Sequence, residues 1–281
     1  MDNWRARIDL SHPVWTDYRE HLRSLGEKAF PTPGELSSCL PPGLSSNGGR
    51  PIRFIPAENL PGVDYEKHIF STGEVSTRQT NWHDLFNALV WCRFPGLKAA
   101  MNAVHFSELD SGVEGSRGKQ RDALTLLDES GVIVCSSSEE HLHALARHDW
   151  GNIFRAEAEV WEDKIRVFVV GHALLEKFLK PYKSITAHAL LLCVDQAMQA
   201  LPSEALIPTL DEWVVDRLLA GQLLNSPSCL SPLPLMGIPG WWPGGVQDDE
   251  FYTDQYVFRP LRAGASEAQV MDCRGPPCGH L

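Results

Sequence analysis

Seven residues in this chain have side chains that could do chemistry together: Arg78, His83, Asp84, Asn87, His105, Arg121 and Asp122. Two imidazoles and two carboxylates are ordinary donors to zinc, manganese or iron. A histidine oriented by a carboxylate is equally a general base, so His83, Asp84, Asn87, His105 and Asp122 form the candidate catalytic set. Arg78 and Arg121 are assigned the task of holding an anionic substrate group. The stretch contains no His-x-x-x-His, no His-Glu-x-x-His and no clustered Asp-x-Asp. A divalent metal therefore has the ligand types but no support from ligand spacing, and the cofactor is left open. The competing structural reading is a buried hydrogen-bond network that ties His83 and Asp84 to the Arg78 and Arg121 segments.

Three further places carry reactive side chains. Gly171-His172 follows an apolar run and has Glu176 four residues on, so His172 joins the candidate substrate-binding set at a strand-to-helix junction. The plain alternative is a turn glycine followed by a histidine bonded to nearby backbone, and His188 reads as a satisfied core histidine. Cys273, Cys278 and His280 are zinc-ligand types, but a structural site needs a fourth ligand and a second close pair. Arg117, Lys119 and Arg121 in a glycine-rich stretch are suited to a phosphate or carboxylate. No Gly-x-Ser-x-Gly elbow and no Walker loop occurs.

The elements that must position these groups follow from periodicity. Leu85, Phe86, Leu89, Val90 and Phe94 recur at helical spacing, with Thr80 or Asn81 as cap and Pro95 as stop. His83 and Asn87 share the other face of that helix. A second helix is expected from Leu97 to about Glu108, which would bring His105 towards His83 if the two form a hairpin. Residues 110–120 read as a polar, glycine-rich mobile loop, and residues 123–127 and 132–135 as a strand hairpin turning at 128–131. Helices are expected at 14–29, 136–147, 152–161, 172–179 and 210–224, and a strand at 164–170. Residues 185–194 suit a strand or a buried helix, and residues 64–77 an irregular segment or short strand. Seven prolines between 31 and 62 indicate an extended arm, in which 51–56 is a short strand. The Pro/Gly/Trp-rich stretch 231–245 should be irregular but packed on the body, residues 251–260 extended, and the chain disordered from Leu261 onward.

Composition narrows the class. In 281 residues, 43% are hydrophobic and 22% charged, an ordinary globular balance, and the net charge is −11. Such an excess of acid gives no general attraction to nucleic acid or to anionic membranes. Seven scattered cysteines form no disulfide framework, and no signal peptide or membrane-length apolar run occurs, so a cytoplasmic protein is expected.

The stretch Thr77-Arg78 with residues 81–91 (Asn-Trp-His-Asp-Leu-Phe-Asn-Ala-Leu-Val-Trp) resembles the hallmark of a bacterial family known as domain-of-unknown-function family 3025. Residues 121–128, 171–176, 234–241 and 257–260 look like segments of the same family. The resemblance implies a bacterial cytosolic protein and a single domain, and it carries no activity, cofactor or partner. The expected architecture is therefore a single α+β domain, mainly helical, with a few short strands and long ordered loop-rich arms. Its expected parts are an N-terminal helix and arm at 1–63, a core domain at 64–260 and a tail at 261–281. The favoured function is an acid/base enzyme, hydrolase-like, acting on a small-molecule or anionic ligand in a pocket where the seven residues meet. The alternative is a non-catalytic module that binds a small ligand or a protein through its Trp/Pro-rich arm. The sequence does not set the oligomeric state.

Overall fold

Two apolar runs, Gly131–Ser136 and Thr186–Cys193, become the central strands of a five-stranded sheet on which helices pack. The computed structural model describes residues 3–59, 64–111 and 116–274. In chain order the elements are α1 (Arg19–Ser24), α2 (Pro33–Ser37), β1 (Arg53–Pro56), α3 (Tyr65–Thr72), β2 (Glu74–Thr77), α4 (Trp82–Arg93), α5 (Pro95–Ser111) and α6 (Ser116–Ser130). There follow β3 (Gly131–Ser136), α7 (Glu139–Ala146), α8 (Val160–Asp163), β4 (Ile165–Val169), α9 (His172–Lys177) and β5 (Thr186–Cys193). The chain continues with α10 (Gln196–Gln199), α11 (Ser203–Leu219), β6 (Ser231–Pro234) and β7 (Val270–Asp272). This is the α+β architecture expected, with a two-stranded parallel sheet β1-β2 beside the main sheet.

The main sheet runs β4-β3-β5-β6, with β7 on the same edge of β5 as β6. β3 lies parallel to β5 and antiparallel to β4. All six residues of β3 are buried, as a central strand covered on both faces must be. Across the sheet's helical flank, α4 packs on α9, α6 on α9, and α5 on α3, α6 and α11. Phe86, Leu89 and Trp91 on α4, and Phe94 just after it, are almost fully buried, which fixes that helix rigidly.

Several expectations need correction. The strand expected at 123–127 is helix: Ala123, Leu124 and Leu127 are all buried, and that three-to-four spacing is a helical stripe leading straight into β3. The loop expected at 110–120 falls partly at 112–115, outside the described residues, and the rest belongs to α5 and α6. Residues 65–72 form α3 because the Asp64 side chain caps Lys67 N and Gly73, at φ 76°, ends it. Residues 185–194 resolve as strand β5.

The helix expected at 14–29 shortens to α1, although Val14, Trp15, Tyr18, Leu22 and Leu25 are all buried. The helix expected at 152–161 divides into a π-helical turn, Asn152–Ala156, and α8. The irregular stretch at 231–245 contributes β6, whose Pro232 and Pro234 are tolerated because the strand pairs only with β5. The chain expected to be disordered from Leu261 adds β7 to β5. The pair Cys278 and His280 lies outside the described residues.

Candidate functional site

Two helix starts and one helix end meet at a cleft of about 380 Å³. The first start is α4. Asn81 caps it by accepting from Asp84 N at 3.0 Å, so His83 stands in the first turn at the mouth of the cleft. Asp84 accepts from Arg78 three times: from the backbone N at 2.6 Å, Nε at 3.0 Å and Nη2 at 2.7 Å.

The second start is α9, which opens with His172 directly after Gly171. A Cβ on Gly171 would lie 2.4 Å from Gly131 N and 2.6 Å from Ser130 Cα, so only glycine lets this turn press on the α6–β3 junction. Gly131 O accepts from both Val170 N and Gly171 N and holds the two turns together. That contact sets His172 against the last turn of α6, where Asp128 and Glu129 stand.

The two imidazoles face each other, with His83 Nε2 2.9 Å from His172 Nε2. Behind each ring is a carboxylate. Glu176 Oε2 lies 3.4 Å from His83 Nδ1, and Asp128 Oδ2 lies 3.7 Å from His172 Nδ1. The second separation is longer than a hydrogen bond, and His172 Nδ1 has no partner at bonding range among the described residues. Glu129 Oε1 approaches His172 Nε2 to 3.8 Å. Burial pushes His172 down to about 4, with Asp128 pulling the other way, so its imidazole is neutral at neutral pH. Burial raises Glu129, helped by the charge of Asp128. Burial also works against ionised Asp128, but Lys98, His172 and His105 outweigh it and hold the carboxyl below its ordinary value.

The walls complete the arrangement. Lys98, on the first turn of α5, reaches Asp128 Oδ1 at 2.5 Å and is buried. Asn87 Nδ2 donates to Tyr65 Oη at 3.2 Å, which leaves buried Asn87 Oδ1 without a partner among the described residues. Glu66, raised by burial, accepts from Asn102 Nδ2 at 2.6 Å. Behind Lys98 and Asp128 is a second, small cavity of about 10 Å³, lined by His105, Asn102, Glu66 and Tyr65 among others. Its size suits a single water, and His105 Nδ1 and Asn102 Oδ1 are unpartnered groups that a water could serve.

Of the eight residues singled out from the sequence, Arg78, His83, Asp84, Asn87 and His172 line the cleft. His105 lies in the small cavity next to it, sharing Tyr65, Glu66, Lys98 and Asp128 as walls. Arg121 and Asp122 lie exposed on α6 and line neither. On the helix 116–130 Asp128 and Glu129 follow Arg121 and Asp122 by two turns on the same face, about 10 Å further along the axis, and it is this last turn that meets the cleft. Sequence reasoning passed over Glu129, Asp128, Lys98, Tyr65 and Glu66. Only the Asp128-Glu129 pair ahead of a turn glycine offered a signal, and it read as part of a hairpin.

The fold and the cleft together define an α+β protein with a histidine pair backed by carboxylates. The chain belongs to the family described as Protein of unknown function (DUF3025), whose model matches residues 52–262, a range that includes every residue of the cleft. No curated protein and no solved structure matches the chain. No helix among the described residues is long and apolar enough to cross a membrane.

Proposed function

We propose that the chain is an acid/base enzyme of the hydrolase type, working at the His83–His172–Glu129 centre. The observation that carries this reading is the meeting of two imidazole Nε2 atoms and a carboxylate in a solvent-open cleft. A water held against these groups gives up a proton to them as its oxygen attacks an acyl or similar carbon. A new C–O bond forms, the bond to the leaving group breaks, and the leaving group takes the proton back. Glu176 and Asp128 stand behind the two rings, and Lys98 holds Asp128. Arg78 is already committed to Asp84, so the assignment of an anionic substrate to Arg78 draws no support from a free guanidinium. A bacterial cytosolic setting suits the six described cysteines, none of which forms a disulfide.

The test is turnover of a panel of chromogenic esters and amides by the full-length chain. The reading expects His172→Asn and His83→Ala each to lose on the order of 100-fold or more in kcat/KM. A panel without turnover above the buffer rate, or turnover that survives both substitutions, overturns it.

The alternative, a non-catalytic binding module, has one observation in its favour. A larger cavity of about 520 Å³ lies between β6 and the C-terminal arm, with Trp150, Tyr256 and Arg259 in its wall. Docking of a protein through Trp241 is disfavoured, since that side chain is only 9% exposed.

A further inference from the structure

We infer that His83, His172 and Glu129 bind a divalent transition-metal cation with a preference for imidazole and carboxylate donors, zinc being the type case. The first ground is the orientation of the two rings. A carboxylate faces each Nδ1, Glu176 at 3.4 Å from His83 and Asp128 at 3.7 Å from His172. With the ring protons on Nδ1, on the sides of these carboxylates, the carboxylate–histidine arrangement is that found behind metal-bound histidines. Both Nε2 lone pairs then face each other at 2.9 Å, a separation that a shared proton or a common cation satisfies.

The second ground is distance. Donors bound at about 2.0–2.1 Å to one ion stand roughly 2.9 Å apart at an octahedral right angle and roughly 3.4 Å apart in a tetrahedron. The imidazole pair is at the short end of that span. Glu129 Oε1, 3.8 Å from His172 Nε2, needs to close by only about half an ångström, and its side chain is 45% exposed and free to turn. The donor atoms of all three residues lie within 4.8 Å of one another. A shared proton would satisfy the two nitrogens but would give the third donor nothing to bind.

Charge is the third ground. The cleft is lined by the carboxylates of Glu66, Asp84, Asp128 and Glu129 and by two cations, Arg78 and Lys98. Those two are paired with Asp84 and Asp128. Glu66 and Glu129 are left over, and Glu176 behind His83 adds a third carboxylate, an excess of negative charge that a divalent cation reduces. Three protein ligands would also leave a coordination position open to water, the arrangement of catalytic rather than structural sites. The bound ion would then lower the pKa of that water, with the class of reaction unchanged. The ligands come from three separate helices, so no local spacing motif could announce them.

The experiment uses the full-length chain after chelator treatment, titrated with Zn²⁺ alone by calorimetry and with Co²⁺ alone by visible absorption. One equivalent should bind. His83→Ala, whose side chain is one-third exposed, and Glu129→Gln should keep the wild-type circular dichroism. His83→Ala should weaken binding about 100-fold or more, and the backing variant Glu176→Gln about 10-fold. Cys278→Ser and His280→Ala should leave binding unchanged, and the Co²⁺ spectrum should lack thiolate charge-transfer bands. Absence of stoichiometric binding, binding untouched by His83→Ala, or loss of binding in Cys278→Ser overturns the inference. Binding and turnover fail separately. One equivalent of metal without turnover leaves this site standing and ends the hydrolase reading, whereas turnover by a chain that binds no stoichiometric metal does the reverse.

Discussion

Two of the molecule's concavities differ in character. The cleft at α4, α6 and α9 measures about 380 Å³ and is lined by four carboxylates, two histidines and two paired cations. The cavity under the C-terminal arm is larger, about 520 Å³, and its wall holds prolines, serines, His148, Arg259 and Arg262 but no carboxylate. From Trp150 in its wall a set of rings runs on into the arm: Trp150, Phe154 and Trp161 stack in turn, and Tyr252 and Phe258 close on Phe154. Size therefore does not locate the chemistry here. The smaller site has opposed titratable groups and unpartnered polar atoms, whereas the larger is the inner surface of an arm that holds the sheet together.

If that contrast is right, the largest stability effect should come from the arm. Phe258 is 5% exposed and meets Phe251, Tyr252 and Phe154 at 5.6, 5.2 and 5.9 Å. Phe258→Ala should cost about 3–5 kcal/mol in urea denaturation, through lost burial and the cavity left behind. A loss below about 1 kcal/mol would mean that the arm is an accessory, and the contrast would break.

The cleft should behave in the opposite way. Leu89 is fully buried on the inner face of α4, and Leu89→Ala should cost about 2–5 kcal/mol. His83→Ala, on the same helix but one-third exposed, should cost less than about 1 kcal/mol while removing function. Equal destabilisation by the two would favour the buried-network reading of His83.

These two residues also mark what could be read in advance. The α4 stripe was legible because Leu85, Phe86 and Leu89 repeat at a spacing that only a helix can bury on one side. His83 and Asn87 followed from it as neighbours on the other side, and His172 from the strand-to-helix turn. Glu129 and Lys98 were not legible, because they reach the cleft by tertiary packing of α6 and α5, which no local pattern encodes. The α6 segment itself was misread because Leu124, Leu126 and Leu127 near a Gly turn fit a strand locally, and burial of Ala123 decides for helix. Arg121 and Asp122 were chosen on that error.

An intermediate effect should come from Asp211, which ties α11 to the start of α5, the helix that carries Lys98. Its carboxylate accepts from Gly96 N and Leu97 N, both at 2.8 Å. Burial nevertheless raises it from 3.8 to about 6. The folded chain thus holds this proton more tightly than the unfolded chain. The resulting stabilisation is complete below about pH 4 and is lost as the pH rises through about 6. Compared with Asp211→Asn, the wild type should lose up to about 3 kcal/mol between these limits and neutral pH. Parallel stability curves for the two proteins across this window would show that Asp211 titrates normally.

The smallest effect concerns Arg78 and Asp84, and it separates a strap from a binding group. Asp84 accepts two guanidinium bonds and one backbone bond, and its own N is held by the Asn81 cap. The geometry is bidentate, but the Arg78 side chain is 59% exposed, so water and salt screen the pair. A double-mutant cycle of Arg78→Ala and Asp84→Asn should therefore give a coupling of no more than about 1 kcal/mol, smaller still in high salt. Asp84→Asn should be the costlier single change, because it also weakens the bond to Arg78 N and removes a negative charge from the first turn of α4. If Arg78 only fastens the approach to His83, Arg78→Ala lowers stability slightly and leaves KM alone. If it grips an anionic substrate, KM rises several-fold while stability stays level, and the cleft then takes charged ligands despite its excess of carboxylates.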